Sequence, residues 1–179
     1  VERLGLPNPR WAQVSTLDEL LAFGDEIGWP VVLKTPRGGY DGHGVAVAHS
    51  PADVASWWGN GPLLAEALVP FTGEVAALLA RTPSGEVASW PGVTGVLAVE
   101  MFVVGEGADE RVLVNELAMR PHNTGHWTID GAVTSQFEQH LRAVLDLPLG
   151  STQLRAPGTY AVMVNLLGSS HAQPARALA

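Results

Sequence analysis

The sequence predicts an α+β fold with mostly antiparallel strands, arranged as two subdomains that meet near residue 66. Three observations predict it. Short runs of branched apolar residues recur, among them PVVLK, VAVA and VLAVEMFVV. Most of them pair with a neighbour in sequence through a short turn, as hairpins do. Two capping boxes, each followed by an apolar stripe, mark helices between them.

Taken in order, Thr16–Glu19 (TLDE) is the first capping box, Leu17, Leu20, Leu21 and Phe23 begin its stripe, and Gly28 closes the helix. Val31–Thr35 reads as a buried strand, and VAVAH, after a glycine-rich loop, as its hairpin partner. Ser50 and Pro51 cap a second helix running to about Trp58. LLAEALVPF is a short strand that breaks at Pro70. Glu74–Arg81, the turn TPSG and Glu86–Trp90 form a hairpin, as do Val93–Val104 and Arg111–Leu117 around GEGADE. Ser135–Glu138 (SQFE) is the second capping box, with Phe137, Leu141, Val144 and Leu145 on one face of its helix. The tail after Ser151 is weakly patterned.

Bulk properties narrow the function. Apolar residues are 46% of the 179 and charged ones 16%, which is a globular composition. A net charge of −8 argues against broad attraction to nucleic acid or an acidic membrane face, though not against a local basic pocket. There is no cysteine, hence neither disulfide nor thiolate metal site. No stretch reaches membrane-spanning length and no signal peptide opens the chain, so a cytoplasmic protein is expected. The start VERLGLPNPRWA lacks a methionine and the end HAQPARALA reads as an opening helix, so the sequence is expected to be a fragment.

The hairpin VLAVEMFVVGEGADERVLVNELAMR carries the sharpest chemical argument. If it is symmetric about Ala108, Glu100 lies opposite Glu116, Phe102 opposite Val114 and Val104 opposite Val112. The other face then pairs Leu97 with Met119, Val99 with Leu117 and Val103 with Leu113. Like charges directly opposed are destabilising, so two carboxylates so placed call for a cation between them. Hard oxygen donors at that spacing suit Mg²⁺. The alternative is a register slipped by one residue, with one glutamate at a solvent edge.

PRGGYDGHG follows Lys34 directly. It has neither the G-x-x-x-x-G-K-[ST] nor the G-x-G-x-x-G spacing. It reads as a strand–loop–strand flap whose glycines offer backbone N–H groups to phosphate oxygens beside a lysine; an ordinary exposed hairpin turn is the other reading. RPHNTGHWTIDG places Arg120, His122, Asn123 and His126 just after Glu116. Pro121 and Gly125 argue against a helical zinc pair of His122 and His126, and oxyanion recognition with acid–base work fits better. His126 and Trp127 read equally as packing groups, and Glu138, Gln139 and His140 as capping and surface groups.

Together GWPVVLKTPRGGYDGHG, LLAEALVPFTGEVA, VLAVEMF and NELAMRPHNTGHWTIDGAVTSQFEQHLRAVLDLPLG resemble the N5-carboxyaminoimidazole ribonucleotide synthetases of the ATP-grasp superfamily, from the first residues to NLLG near 168. The RPHN-[ST]-GHWT run is specific to these enzymes, whereas the lysine and glutamate pair are general to ATP-grasp proteins. The resemblance implies an ATP-grasp fold, with the nucleotide between a lid subdomain (1–66) and a larger subdomain (67–155), and a truncated C-terminal segment beginning at 156. It implies a carbon–nitrogen ligase of de novo purine biosynthesis, converting 5-aminoimidazole ribonucleotide, bicarbonate and ATP through carboxyphosphate into the N5-carboxylated nucleotide, ADP and phosphate. Lys34 and the loop Gly39, Tyr40, Asp41, Gly42, His43, Gly44 and Val45 would hold ATP phosphates. Glu66, Ala67, Leu68 and Val69 would meet adenine, and Glu74 the ribose, with Asn115 close to the nucleotide. Glu100 and Glu116 would be the Mg²⁺ ligands. Tyr40, Asp41, Arg120, His122 and Asn123 would surround the second substrate and the bicarbonate-derived intermediate, the last three as catalytic groups. A homodimer is implied as well.

The chain departs from the pattern at five places. His43 stands where the loop usually carries lysine or arginine, and Gly73 where a basic residue usually precedes the glutamate at 74. The family's N-terminal domain and C-terminal basic segment lie outside this sequence, as expected of a fragment. A further strand and helix of the family fall between Pro91 and Gly92, where residues are expected to have been left out. Two other functions compete: a different ATP-grasp carboxylase or ligase, and a nucleotide-binding module without catalysis.

Overall fold

The structure, a computed structural model, describes residues 2–36, 44–58, 61–84 and 94–164. The tip of the glycine flap (37–43) and the expected strand Glu86–Trp90 lie outside them. Compactness divides the chain into two units, 1–76 with 99–117 and 77–98 with 118–179, a discontinuous division that no linear boundary expresses.

The first unit is built on a four-stranded antiparallel sheet, in the order β1 (Trp11–Val14), β4 (Leu63–Ala67), β2 (Val31–Lys34), β3 (Val45–Ala48). Register is fixed by which residues need burying. Val14, Val31, Leu33, Ala48, Leu63 and Ala65 share one face and form the core with Leu20, Phe23 and Val54. A slip by one residue would drive Lys34 and Glu66 into that core and turn its apolar residues to solvent.

Helix α1 (Leu17–Ile27) starts where its capping box requires: Thr16 Oγ1 accepts from the Glu19 N–H at 3.2 Å. The Glu19 carboxylate takes the N–H of Ser15 rather than of Thr16. Gly28, at φ 92°, ends the helix. Of the expected stripe, Leu20 and Phe23 are buried while Leu17 and Leu21 are exposed, because only one narrow side meets the sheet. Gly24 lies under the Trp29 indole, where a Cβ would stand 2.3 Å from the ring.

The second helix is not α-helical. Pro51–Trp57 is a 3-10 segment broken at Val54, whose φ/ψ of −121° and 20° let that side chain bury completely. Asp53 holds its start by accepting from the N–H groups of His49 and Ser50.

Strands β5 (Gly73–Arg81), β6 (Gly95–Val104) and β7 (Arg111–Ala118) form a second sheet in that order. The turn between β6 and β7 falls on GEGADE, as expected, with Gly105 at φ 82°. A Cβ there would stand 2.4 Å from the Asp109 carbonyl oxygen.

In the second unit, a 3-10 turn at Asn123–Gly125 precedes the one-turn helix α2 (Thr128–Gly131) and then α3 (Gln136–Val144). Ser135 caps α3 as expected, but the helix turns its other side inward. Phe137, Leu141, Val144 and Leu145 are exposed, Leu141 by 58%, while Gln136, Gln139 and Ala143 are buried. Gln139 is therefore not a surface group: it takes the N–H of Gly150 at 3.0 Å and donates to its carbonyl at 2.6 Å. His140 is half-buried, with Nδ1 3.3 Å from the Val96 N–H. In the tail, Arg155 donates to the Ala132 carbonyl, while Ala132 bridges Leu154.

Candidate functional site

One face of the four-stranded sheet is packed; the other carries the chemistry. Opposite residues of an antiparallel pair share a face, so the pairings Trp11↔Glu66, Val32↔Glu66, Lys34↔Leu64 and Lys34↔Val45 set these side chains together on the uncovered side. It is a largely apolar floor that bears Lys34 and Glu66. Lys34 Nζ lies 2.7 Å from Glu66 Oε2, its diagonal neighbour across the strands, and 3.1 Å from Asn115 Oδ1 on β7. The side chains of Lys34 and Glu66 are 21% and 12% exposed. A cavity of about 420 Å³ opens beside Glu66, its lining including Arg3, Asn8, Trp11, Glu66, Val114 and Asn115, within the range of small-ligand sites.

The hairpin delivers the carboxylate pair. Glu100 and Glu116 each place an oxygen within 4.8 Å of the other, on the neighbouring strands β6 and β7. Glu100 is half-buried and Glu116 exposed. Phe102, two residues along from Glu100, stacks on Phe71 with ring centroids 4.7 Å apart. Thr72 joins β6 through its N–H to the Val103 carbonyl at 2.8 Å. Lys34 meets β7 at Asn115, the chain neighbour of Glu116.

In the second unit the segment Arg120–Trp127 is a 3-10 turn at Asn123–Gly125 rather than an α-helix, so His122 and His126 are not an α-helical i,i+4 pair. His122 is buried, and Nδ1 accepts from the Thr124 N–H at 3.4 Å. His126 stacks on Phe137 at 5.8 Å, which bears out the packing reading for that residue. Arg120 is exposed and donates to the Pro121 carbonyl, and Asn123 is half-buried.

Comparison with known proteins fits this arrangement. A profile of the ATP-grasp domain matches residues 1–94 and 92–137. The chain belongs to the ATP-grasp family. The two ATP-grasp matches meet at 92–94, beside the place where the resemblance puts a further strand and helix. The N5-carboxyaminoimidazole ribonucleotide synthase of Corynebacterium ammoniagenes is 41% identical over 216 residues, covering 95% of this chain and 52% of that protein. Its counterpart in Mycobacterium tuberculosis strain H37Rv is 42% identical, covering 95% and 48%. The crystal structure of the synthetase from Thermus thermophilus superposes with a TM-score of 0.70 at 36% identity, over 86% of this chain and 52% of that one. The Aspergillus clavatus synthase, solved with ADP and 5-aminoimidazole ribonucleotide, gives 0.70 at 26% identity, over 86% and 52%. The chain spans about half the length of the curated relatives it matches.

Among the residues expected at an ATP-grasp site, the first unit brings Lys34, Glu66 and Asn115 into contact and sets Glu100 by Glu116. Ala67 is tied by its N–H to the Arg10 carbonyl at 2.8 Å; Leu68 is exposed, and Val69 accepts from the Phe71 N–H. Glu74 is exposed at the start of β5. Gly44 accepts from the Thr35 N–H at 2.9 Å, closing the base of the flap, and Val45 follows it on the uncovered face. Gly39, Tyr40, Asp41, Gly42 and His43 lie outside the described residues. Sequence reasoning missed Trp11 and Asn8, because WAQV is four residues long with a single buried position and was not read as a strand. It missed Gln136 as well, whose burial no apolar pattern announces.

Proposed function

We propose that this chain is the ATP-grasp portion of an enzyme that carboxylates 5-aminoimidazole ribonucleotide. ATP would transfer its γ-phosphoryl group to bicarbonate, giving carboxyphosphate and ADP. The amine of the nucleotide then attacks the activated carboxyl carbon, the C–O bond to phosphate breaks, and the N5-carboxylated product and phosphate leave. The step belongs to de novo purine (IMP) biosynthesis, in the cytoplasm and in a homodimer.

The observation that carries this reading is the lysine. Lys34 stands on an apolar sheet face, held by Glu66 on one side and Asn115 on the other, one residue from the carboxylate pair. A triphosphate needs such a fixed cation, and adenine needs such an apolar floor. In the proposed arrangement Lys34 and the flap from Gly39 to Val45 hold the phosphates, Glu66 to Val69 the base, and Glu74 the ribose. Glu100 and Glu116 supply the hard, anionic oxygens that Mg²⁺ prefers, from facing strands and close enough to share one ion. The ion, when bound, neutralises charge on phosphate oxygens. Arg120, His122 and Asn123, with Tyr40 and Asp41, orient the amine and the bicarbonate-derived group and keep water from a hydrolysable intermediate.

The test is ADP release measured with each substrate withheld in turn. The expected result is release that requires both 5-aminoimidazole ribonucleotide and bicarbonate. ATP binding without turnover would replace the proposal with a nucleotide-binding module.

A further inference from the structure

Gln136 opens α3 and is 4% exposed, yet it is polar and lies in neither the lysine site nor the carboxylate pair. Its side chain is spent on a single residue. Oε1 accepts from the His122 N–H at 2.9 Å, and Nε2 donates to the His122 carbonyl at 2.7 Å. These are the two groups that a partner strand would take, so the amide acts as a one-residue strand against the backbone of His122.

The surroundings reinforce the grip. The Gln136 N–H donates to Thr128 Oγ1 at 2.8 Å, and that hydroxyl donates to the Gly125 carbonyl at 2.6 Å. The Gly125 N–H returns to the His122 carbonyl at 2.9 Å. Gly125 leaves room for the glutamine: a Cβ there would lie 2.4 Å from Gln136 Oε1 and 2.7 Å from Leu78 Cδ1. The loop from His122 to Gly125 is thus locked from α3 at its backbone, while Thr124 holds the imidazole through Nδ1.

We propose that Gln136 is a positioning residue for the carboxylation step: by fixing the peptide of His122 it sets where the imidazole and the adjoining Arg120 and Asn123 stand. This rests on the reading of Arg120–Asn123 as the segment that meets the second substrate. Small displacements of such groups cost rate out of proportion to their size, about 10²-fold for 1 Å. A residue that only filled a buried site would move stability and leave the kinetic constants of the two substrates in proportion.

The experiment compares the wild-type protein with Gln136→Glu and Gln136→Leu. It measures KM for ATP, KM for 5-aminoimidazole ribonucleotide, kcat against pH, the melting temperature, and the His122 ring resonances by NMR. An ionised carboxylate still accepts from the His122 N–H but faces the His122 carbonyl without a donor. Gln136→Glu is expected to lower kcat/KM for the aminoimidazole nucleotide about 10–100-fold at neutral pH, with KM for ATP unchanged within about twofold. Relative to wild type it recovers as pH falls, because a protonated carboxyl both accepts and donates and burial raises the pH at which it protonates. Gln136→Leu shows the loss without recovery. The His122 ring resonances move in both variants. Parallel losses for both substrates that merely follow the melting temperature, or His122 resonances and kinetics like wild type in a folded Gln136→Glu, overturn the proposal. If wild-type protein needs no aminoimidazole nucleotide for ADP release, the reading of function fails and the catalytic role of Gln136 with it. Moved His122 resonances would then leave only the backbone lock.

Discussion

Replacing Lys34 by methionine keeps most of the stem volume and removes the ammonium, so its effects isolate the charge. In the folded protein Nζ is shared between Glu66, at 2.7 Å, and Asn115, at 3.1 Å. Without it, a carboxylate only 12% exposed loses its counter-ion. Hydrogen bonds to charged groups contribute about 1.5–3 kcal/mol. The cost stays below the roughly 3–5 kcal/mol of a fully buried pair because a fifth of the lysine side chain still meets water. A loss of about 2 kcal/mol lowers Tm by about 4–8 °C in a chain of this size. Adding Glu66→Gln removes the stranded charge, and the double variant is expected to regain at least half of that loss. ATP affinity behaves differently. A phosphate that loses a charge-assisted contact of the same strength binds about 10–100-fold more weakly, and the second substitution does not restore it. Scanning fluorimetry reads the first quantity and titration calorimetry with Mg·ATP the second. A single variant that melts with wild type would refute the energetic role given to the pair. A double variant that binds ATP like wild type would refute the assignment of Lys34 to the phosphates.

Two further outcomes follow from the hairpin. Glu116→Gln changes an exposed side chain, so stability should move by no more than about 0.5 kcal/mol while ADP release falls about 10²-fold or more; an unchanged rate would remove this residue from the mechanism. Gly105→Ala forces a side chain onto φ 82° and against the Asp109 carbonyl oxygen, which should cost about 1–3 kcal/mol, read as a drop in Tm by circular dichroism. A variant melting with wild type would mean that the turn setting Glu100 against Glu116 is not the one described.

What was legible in the sequence was what depends on pattern with a local cause. Thr16 and Ser135 start helices because a hydroxyl accepts from an N–H three residues on, and both do so in the structure. Lys34 ends β2 because the strand alternates, with Val31 and Leu33 inward. The closeness of Glu100 and Glu116 was legible because a ribbon with an apolar residue at nearly every other position tolerates few registers. What was not legible lacked such a cause. Strand β1 exists because Trp11–Val14 pairs with β4, a contact more than 45 residues away that no local window contains. The segment at Pro51 carries a helix signature, yet full burial of Val54 outweighs the helical geometry there.

Helix α3 shows where an argument from hydrophobicity inverts. Its apolar residues fall on one face by any count, yet Gln136, Gln139 and Ala143 are the buried ones. The reason lies in what the glutamines face. Each meets a backbone segment through both its N–H and its C=O, His122 for one and Gly150 for the other. An apolar side chain at position 136 would take a partner from the buried His122 N–H, at about 1–3 kcal/mol, which offsets the roughly 1.5–3 kcal/mol from burying a leucine in its place. The His122 carbonyl would keep only the Gly125 N–H among the bonds described. Polar residues are therefore the stable choice on the inner face, and the loops they hold become rigid as a direct result. Positions where pattern and burial disagree tend to be those with a task beyond folding. Here the disagreement singles out Gln136, which grips the histidine segment, as a residue whose substitution should be felt in the chemistry before it is felt in the fold.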